Sequence, residues 1–179
     1  DFDAWQGATP GDSSTLVWNE YLTYDELPHV MDPPSGWLQN ANDPPWTVTW
    51  PLVFAPDSFA AYVAPREMWF RPQRSALMQQ ADSSVTLDEL VEYKHSTRMA
   101  LADRILPDLL AAARATGDAD ARKAADVLEA WDRSTDAGSR GGVLFQAWVM
   151  QWYRDSKGKP FAREWRLDSA LTTPSGLAD

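Results

Sequence analysis

"STRMALADRILPDLLAAARATG", residues 96–117, carries the clearest helical pattern in the chain. Leu101, Ile105 and Leu109 recur at helical spacing and make one apolar stripe. Gly117 follows the last periodic residue, where a glycine caps a helix in the left-handed conformation. Pro107 removes a backbone donor inside this run, which predicts a kink or a division near Leu106.

The helical pattern extends to both sides. Upstream, "TLDE" (86–89) has the form of a capping box, with Thr86 placed to accept from the amide of Glu89. Leu87, Leu90 and Val91 follow at helical spacing. Downstream, "DADARKAADVLEAWDRS" (118–134) puts Ala124, Val127, Leu128 and Trp131 on one face, with Asp118 or Asp120 at its start. After the loop "STDAGSRGG", residues 143–154 read "VLFQAWVMQWYR", apolar nearly all round, which predicts a central helix. Each stripe is read as part of a helical core, and none of them by itself indicates a function. The tail from Lys157 reads as irregular.

The first 72 residues differ in character. They hold ten of the thirteen prolines and six of the ten tryptophans. Proline at that density prevents long helices, so "STLVWNEYLTYDELPHV" (14–30) is read as one or two extended stretches. "GWLQNAN" (36–42) is read as a short strand or extended segment running into a loop. The expectation is a mainly α (α+β) chain in three parts. An extended Pro/Trp-rich segment spans 1–72, a bundle-like helical region 73–156 and an irregular tail 157–179. A region so rich in proline and aromatic residues buries itself poorly alone and is expected to press against other protein.

Composition narrows the function. A chain of 179 residues is one ordinary domain, able to bury roughly 70% of its unfolded surface. Its net charge of −10 offers no basic stripe for nucleic acid. The absence of cysteine excludes disulfides and thiolate metal sites. No apolar run reaches membrane-spanning length. The start, "DFDAWQG", has neither an initiator methionine nor a signal peptide, as expected of a processed product or a piece of something larger. Only two histidines exist, His29 and His95, far apart and outside any nucleophile-elbow or metal-spaced motif. "GSRGG" lacks the lysine and the strand–turn–helix context of a phosphate loop.

The remaining chemical signal is "NANDPP" (40–45). On an extended chain Asn40 and Asn42 point to the same side, and an amide NH2 suits a forming oxyanion. The competing reading is an Asn-Asp-Pro-Pro turn whose amide bonds its own backbone. Spacing leaves both open.

The longer stretch "LTYDELPHVMDPPSGWLQNANDPPW" (22–46) resembles the penicillin acylase family of N-terminal-nucleophile amidohydrolases, which includes penicillin, cephalosporin, acyl-homoserine lactone and aculeacin-type acylases. The resemblance continues through "FRPQRSALMQQADSSVTLDELVEYKHSTRMALADRILPDLL", "VLEAWDR" and "LTTPSGLAD", with "KHSTR…ADRIL" leaning towards the lactone and aculeacin branch. It implies cleavage of a linear amide by an N-terminal serine whose own α-amino group is the base. It also implies that Asn42, the second asparagine of the pair, supplies an oxyanion-hole donor. An arginine would position that asparagine, with Arg74 the better match and Arg71 the alternative. The segment 1–72 would join an αββα core in the whole enzyme, whose other α- and β-chain parts are the expected partners, beside a small acylated amide substrate. No cofactor is implied beyond a structural calcium in some members, for which Asp57 is a faint ligand candidate and a helix cap the preferred reading. Trp46, Trp50, Phe54 and Trp69 could line an acyl pocket, packing being the preferred role of each. A periplasmic or secreted location follows from the family. This chain begins with Asp1 where the catalytic chain begins with serine, so it is read as an internal β-chain segment, inactive alone. The rival readings are a non-catalytic helical interaction module and a self-contained hydrolase using His29 or His95.

Overall fold

The computed structural model describes residues 7–178. Its regular structure is five α-helices, α1 (Phe70–Ala81), α2 (Leu87–His95), α3 (Ala100–Ala115), α4 (Ala119–Glu129) and α5 (Arg140–Asp155), with two short strands, β1 (Phe161–Arg163) and β2 (Ser175–Leu177). The chain is mainly helical, as its periodicity predicts, and helix begins at Phe70. The strands pair antiparallel, Phe161 opposite Leu177, so the tail read as irregular carries a small ribbon. Residues 14–30 hold no strand. Two single 3₁₀ turns, Ser14–Leu16 and Tyr24–Glu26, stand there instead. "GWLQNAN" is also free of strand.

Helix ends fall where the capping chemistry puts them. Thr86 accepts from the Glu89 amide while the Glu89 carboxylate accepts from the Thr86 amide. Asp118 accepts from the amides of Asp120 and Ala121. Gly117, at φ +78°, ends α3. Ser139 accepts from Gly142 to start α5.

The main core lies between α3, α4 and α5: Leu101, Ile105, Leu106, Leu109, Leu128, Trp131 and Phe145 are buried together. Pro107 does not divide α3, which runs unbroken from Ala100 to Ala115. An interior proline costs about 3 kcal/mol or more. Burying the four large apolar side chains of α3 returns about 1.5–3 kcal/mol each, so packing wins. Trp131 packs on Phe145 with the rings tilted and their centroids 5.2 Å apart, and its indole fills the space a Cβ on Gly141 would occupy. Glycine is required there because α5 and the indole approach at backbone distance.

Two expectations fail on exposure. α5 is buried along one face only, with Val143 73% and Met150 56% exposed, because nothing among the described residues covers its outer side. On α2, Leu87, Leu90 and Val91 are likewise exposed and form no core stripe.

A second cluster joins Met68, Ala76 and Leu171, with Trp37, Trp50 and Trp165 packed on it. Beside it the fully buried Gln73 donates to the carbonyls of Met68 (3.1 Å) and Thr173 (2.6 Å) and accepts from Arg104 of α3 (3.0 Å). Arg104 also donates to the Leu171 carbonyl. This network fixes the first turn of α1 against α3 and the C-terminal segment, and that turn carries Arg71.

Candidate active site

The loop 39–48 is shaped by side chains, since its prolines leave few backbone donors. Gln39 is buried; its amide N–H donates to the Val48 carbonyl at 2.8 Å, and its side chain donates to the Thr47 carbonyl and the Asp43 carboxylate. Asp43 is the organiser. One carboxylate oxygen accepts from Gln39 and from the Thr47 hydroxyl, both at 2.8 Å; the other accepts from the Ala41 amide at 2.9 Å. The Asn40 side-chain oxygen accepts from the Asn42 amide at 2.9 Å. Asn40 is therefore the residue that bonds its own backbone, as the turn reading requires.

Asn42 is different. It sits at φ +63°, a left-handed conformation that asparagine adopts more readily than other non-glycine residues. The two asparagines thus do not share one side of an extended strand. The Asn42 side chain turns outward, and its Oδ1 accepts from Arg71 Nη2 at 2.9 Å. A guanidinium only donates, so this bond fixes which end of the amide faces the arginine. Both Nδ2 protons are left without a partner among the described residues. The positive charge of Arg71 beside Oδ1 also polarises the amide, which makes those N–H groups stronger donors.

Arg71, not Arg74, reaches Asn42. Helix α1 starts at Phe70, so Arg71 lies in the first turn against the loop, whereas Arg74 lies almost a turn further along. Both arginines and Asn42 line one cleft of about 810 Å³ between the 38–42 loop, α1, α2 and the start of α3. Its apolar wall includes Leu38, Phe70, Met78, Leu90 and Met99. Its far wall carries Lys94 and Arg98. Arg98 is held by Asp103 at 2.8 Å and by the Asp132 carbonyl at 3.2 Å. The carboxyl of Asp103 is pulled in two directions. Burial raises its pKa, and hydrogen bonds from Arg133 and Arg98 lower it; the bonds prevail and it stays below the usual range.

The other singled-out residues lie elsewhere. Trp46 is buried, donates to the Pro65 carbonyl at 2.8 Å and packs on Phe59 at 5.3 Å. Phe54 meets Phe59 edge-on at 5.9 Å, Trp50 packs on the second cluster, and Trp69 is 58% exposed. None of the four lines the Asn42 cleft. Asp57 does not cap its 3₁₀ turn, whose N-cap is Ala55; it pairs with Arg66 at 3.2 Å. No group of three or more potential metal ligands occurs among the described residues. His29 stacks on Tyr24, with Nδ1 2.9 Å from the Leu27 carbonyl oxygen, and His95 closes α2. Sequence reasoning missed Gln39 and Asp43 as organisers and Met78, Leu90, Lys94 and Arg98 as cleft walls. The adjacency of Asp43 to a proline pair was the only signal for any of them.

Loop, arginine and helices together present an amide donor to a cleft. The chain matches the penicillin amidase family over residues 3–175 and belongs to that family of amide-cleaving hydrolases. No helix among the described residues is long and apolar enough to cross a membrane.

Proposed function

We propose that this chain supplies the oxyanion-stabilising side of an acylase active site. The enzyme hydrolyses a linear amide, such as the acyl side chain of a β-lactam, an N-acyl-homoserine lactone or a lipopeptide. The nucleophile is an N-terminal serine outside these 179 residues, on parts of the α and β chains that complete the site. Its hydroxyl attacks the carbonyl carbon and passes its proton to the serine's own α-amine. The carbonyl oxygen becomes an oxyanion and accepts from Asn42 Nδ2. The amine departs with the proton, and water then hydrolyses the acyl-enzyme. The acyl chain lies along Leu38, Met78 and Leu90. No cofactor enters these steps, and the setting is periplasmic or secreted.

One observation carries the reading: the 2.9 Å bond from Arg71 to Asn42 Oδ1, with the Nδ2 donors left without a partner among the described residues. A structural turn asparagine has no need of an arginine on its oxygen. In the mature enzyme, Asn42→Ala is expected to lower kcat about 10²–10³-fold, the usual loss of one oxyanion donor, with maturation and fold retained. Turnover near wild type would reject the assignment. Residues 1–179 alone are expected to hydrolyse no amide.

A further inference from the structure

Charge is distributed very unevenly along this chain. Residues 1–65 carry nine acidic side chains and no lysine or arginine, Arg66 being the first of either in the sequence. The remaining 114 residues carry 17 acidic and 16 basic side chains. Nearly the whole net charge of −10 therefore belongs to the N-terminal third. Single unpaired carboxylates are ordinary on a protein surface. A run of 65 residues with acids alone is not, because like charges gathered in one region repel.

Within that third, no position from 11 to 32 is buried. The composition is nevertheless that of an interior: Val17, Trp18, Tyr21, Tyr24 and Met31 are each 66–88% exposed. A solvated linker is built from small and charged residues and has no use for such side chains. Aromatic and aliphatic exposure concentrated in this way marks a surface that other protein covers. Glu20, Asp25 and Asp32 are interspersed with these residues, and none of the three has a hydrogen bond or an ion pair among the described residues. Glu26 differs, folding back on the Thr23 amide at 2.8 Å to hold its own turn. Residues 66–179 are close to neutral as they stand, so the countercharge comes from outside them. A second copy of this chain brings the same deficit of cations.

We propose that residues 12–32 dock on a cationic surface of the acylase parts outside these 179 residues. Trp18, Tyr21 and Met31 enter its apolar centre, and Glu20, Asp25 and Asp32 pair with lysines or arginines on its rim. The proposal rests on the acylase reading and gives the partner surface a chemistry. It also has a consequence for the site. Asp32 precedes Asn42 by ten residues, and the Ser35 and Thr49 hydroxyls are hydrogen-bonded across the base of the loop between them. Seating the segment therefore fixes the loop of Asn42 relative to the parts that complete the site.

The test uses the mature acylase and carbodiimide-driven amidation of its carboxylates with glycine ethyl ester, read by peptide mass spectrometry. Docking is expected to slow labelling of Glu20, Asp25 and Asp32 at least about tenfold against the urea-unfolded enzyme. Labelling at the unfolded rate overturns the proposal. Protection that disappears on dilution also overturns it, by assigning the surface to a second copy. Two triple variants read the sign of the partner surface, Glu20→Gln/Asp25→Asn/Asp32→Asn and Glu20→Lys/Asp25→Lys/Asp32→Lys. Against a cationic surface the neutral set should lower the unfolding midpoint by about 2–4 °C and the reversed set by more, both losses shrinking in about 1 M salt. Unchanged midpoints, or losses indifferent to salt, overturn the cationic partner; if the reversed set blocks maturation, the neutral set decides alone. Amide hydrolysis by the same preparation judges the acylase reading separately. An active enzyme with freely labelled carboxylates keeps that reading and loses the docking, and a protected but inactive one does the reverse.

Discussion

The core of α3, α4 and α5 and the loop of residues 39–48 are both ordered, but by different forces. The core is held by area: Ile105 and Phe145 are fully inaccessible, and tilted aromatic rings pack from Trp131 through Phe145 to Trp148. The loop buries Trp46 and Thr47, yet its shape comes from bonds converging on one carboxylate, that of Asp43. Apolar burial is non-directional and tolerates repacking. A hydrogen-bonded carboxylate is directional, and it can hold a backbone at φ +63° so that one side chain faces a cleft. The difference predicts that damage to the core costs stability, whereas damage to the loop costs function.

Phe145→Ala gives the largest effect on the core side. Truncating a fully buried phenylalanine leaves a cavity between α4 and α5 and should cost about 3–5 kcal/mol. Thermal or urea unfolding measures this, and a loss below about 1 kcal/mol would show that α5 is not held by that contact. Asp43→Ala is the counterpart in the loop. It frees Gln39, Ala41 and Thr47 together and should lower kcat by about tenfold or more through misplacement of Asn42. The unfolding midpoint is expected to move much less than for Phe145→Ala. A variant equally damaged in both properties would erase the distinction between the two regions.

That contrast also explains what could be read in advance. Thr86, Gly117 and Asp118 end their helices because capping is local chemistry, complete within four residues of chain. The stripe of α3 was legible for a similar reason. Pro107 does not divide α3 because its local cost is outweighed by long-range burial that periodicity does not quantify. α5 reads as apolar all round, yet Val143 and Met150 lie in solvent, since a pattern states what a face can bury and not whether a neighbour arrives. At the site, Asn42 came from family resemblance while the spacing argument assumed an extended backbone. Which arginine bonds Asn42 depends on where α1 begins, since Arg71 lies in its first turn, and a helix boundary is not fixed by local spacing.

The smallest expected effect lies where the regions meet. Asp103 sits in the first turn of α3 and holds Arg98, a wall of the cleft, and Arg133, from the segment after α4. Its carboxyl is held below the ordinary range because the bonds from Arg133 and Arg98 outweigh the opposing effect of burial. A carboxylate with a depressed folded pKa contributes stability above the unfolded value, about 3.9, and loses it as pH falls through the folded value. The stability difference between wild type and Asp103→Asn should therefore be level from neutral pH down to about 4 and shrink below it. Its size should be on the order of 1 kcal/mol, because the pair is only partly shielded from solvent. Urea unfolding at pH 7, 5 and 3 measures it. A difference that stays constant to pH 3 would mean that Asp103 acts through shape and not charge. The electrostatic link between core and cleft would then fall away, while the separate roles of the core and the Asp43 loop would stand.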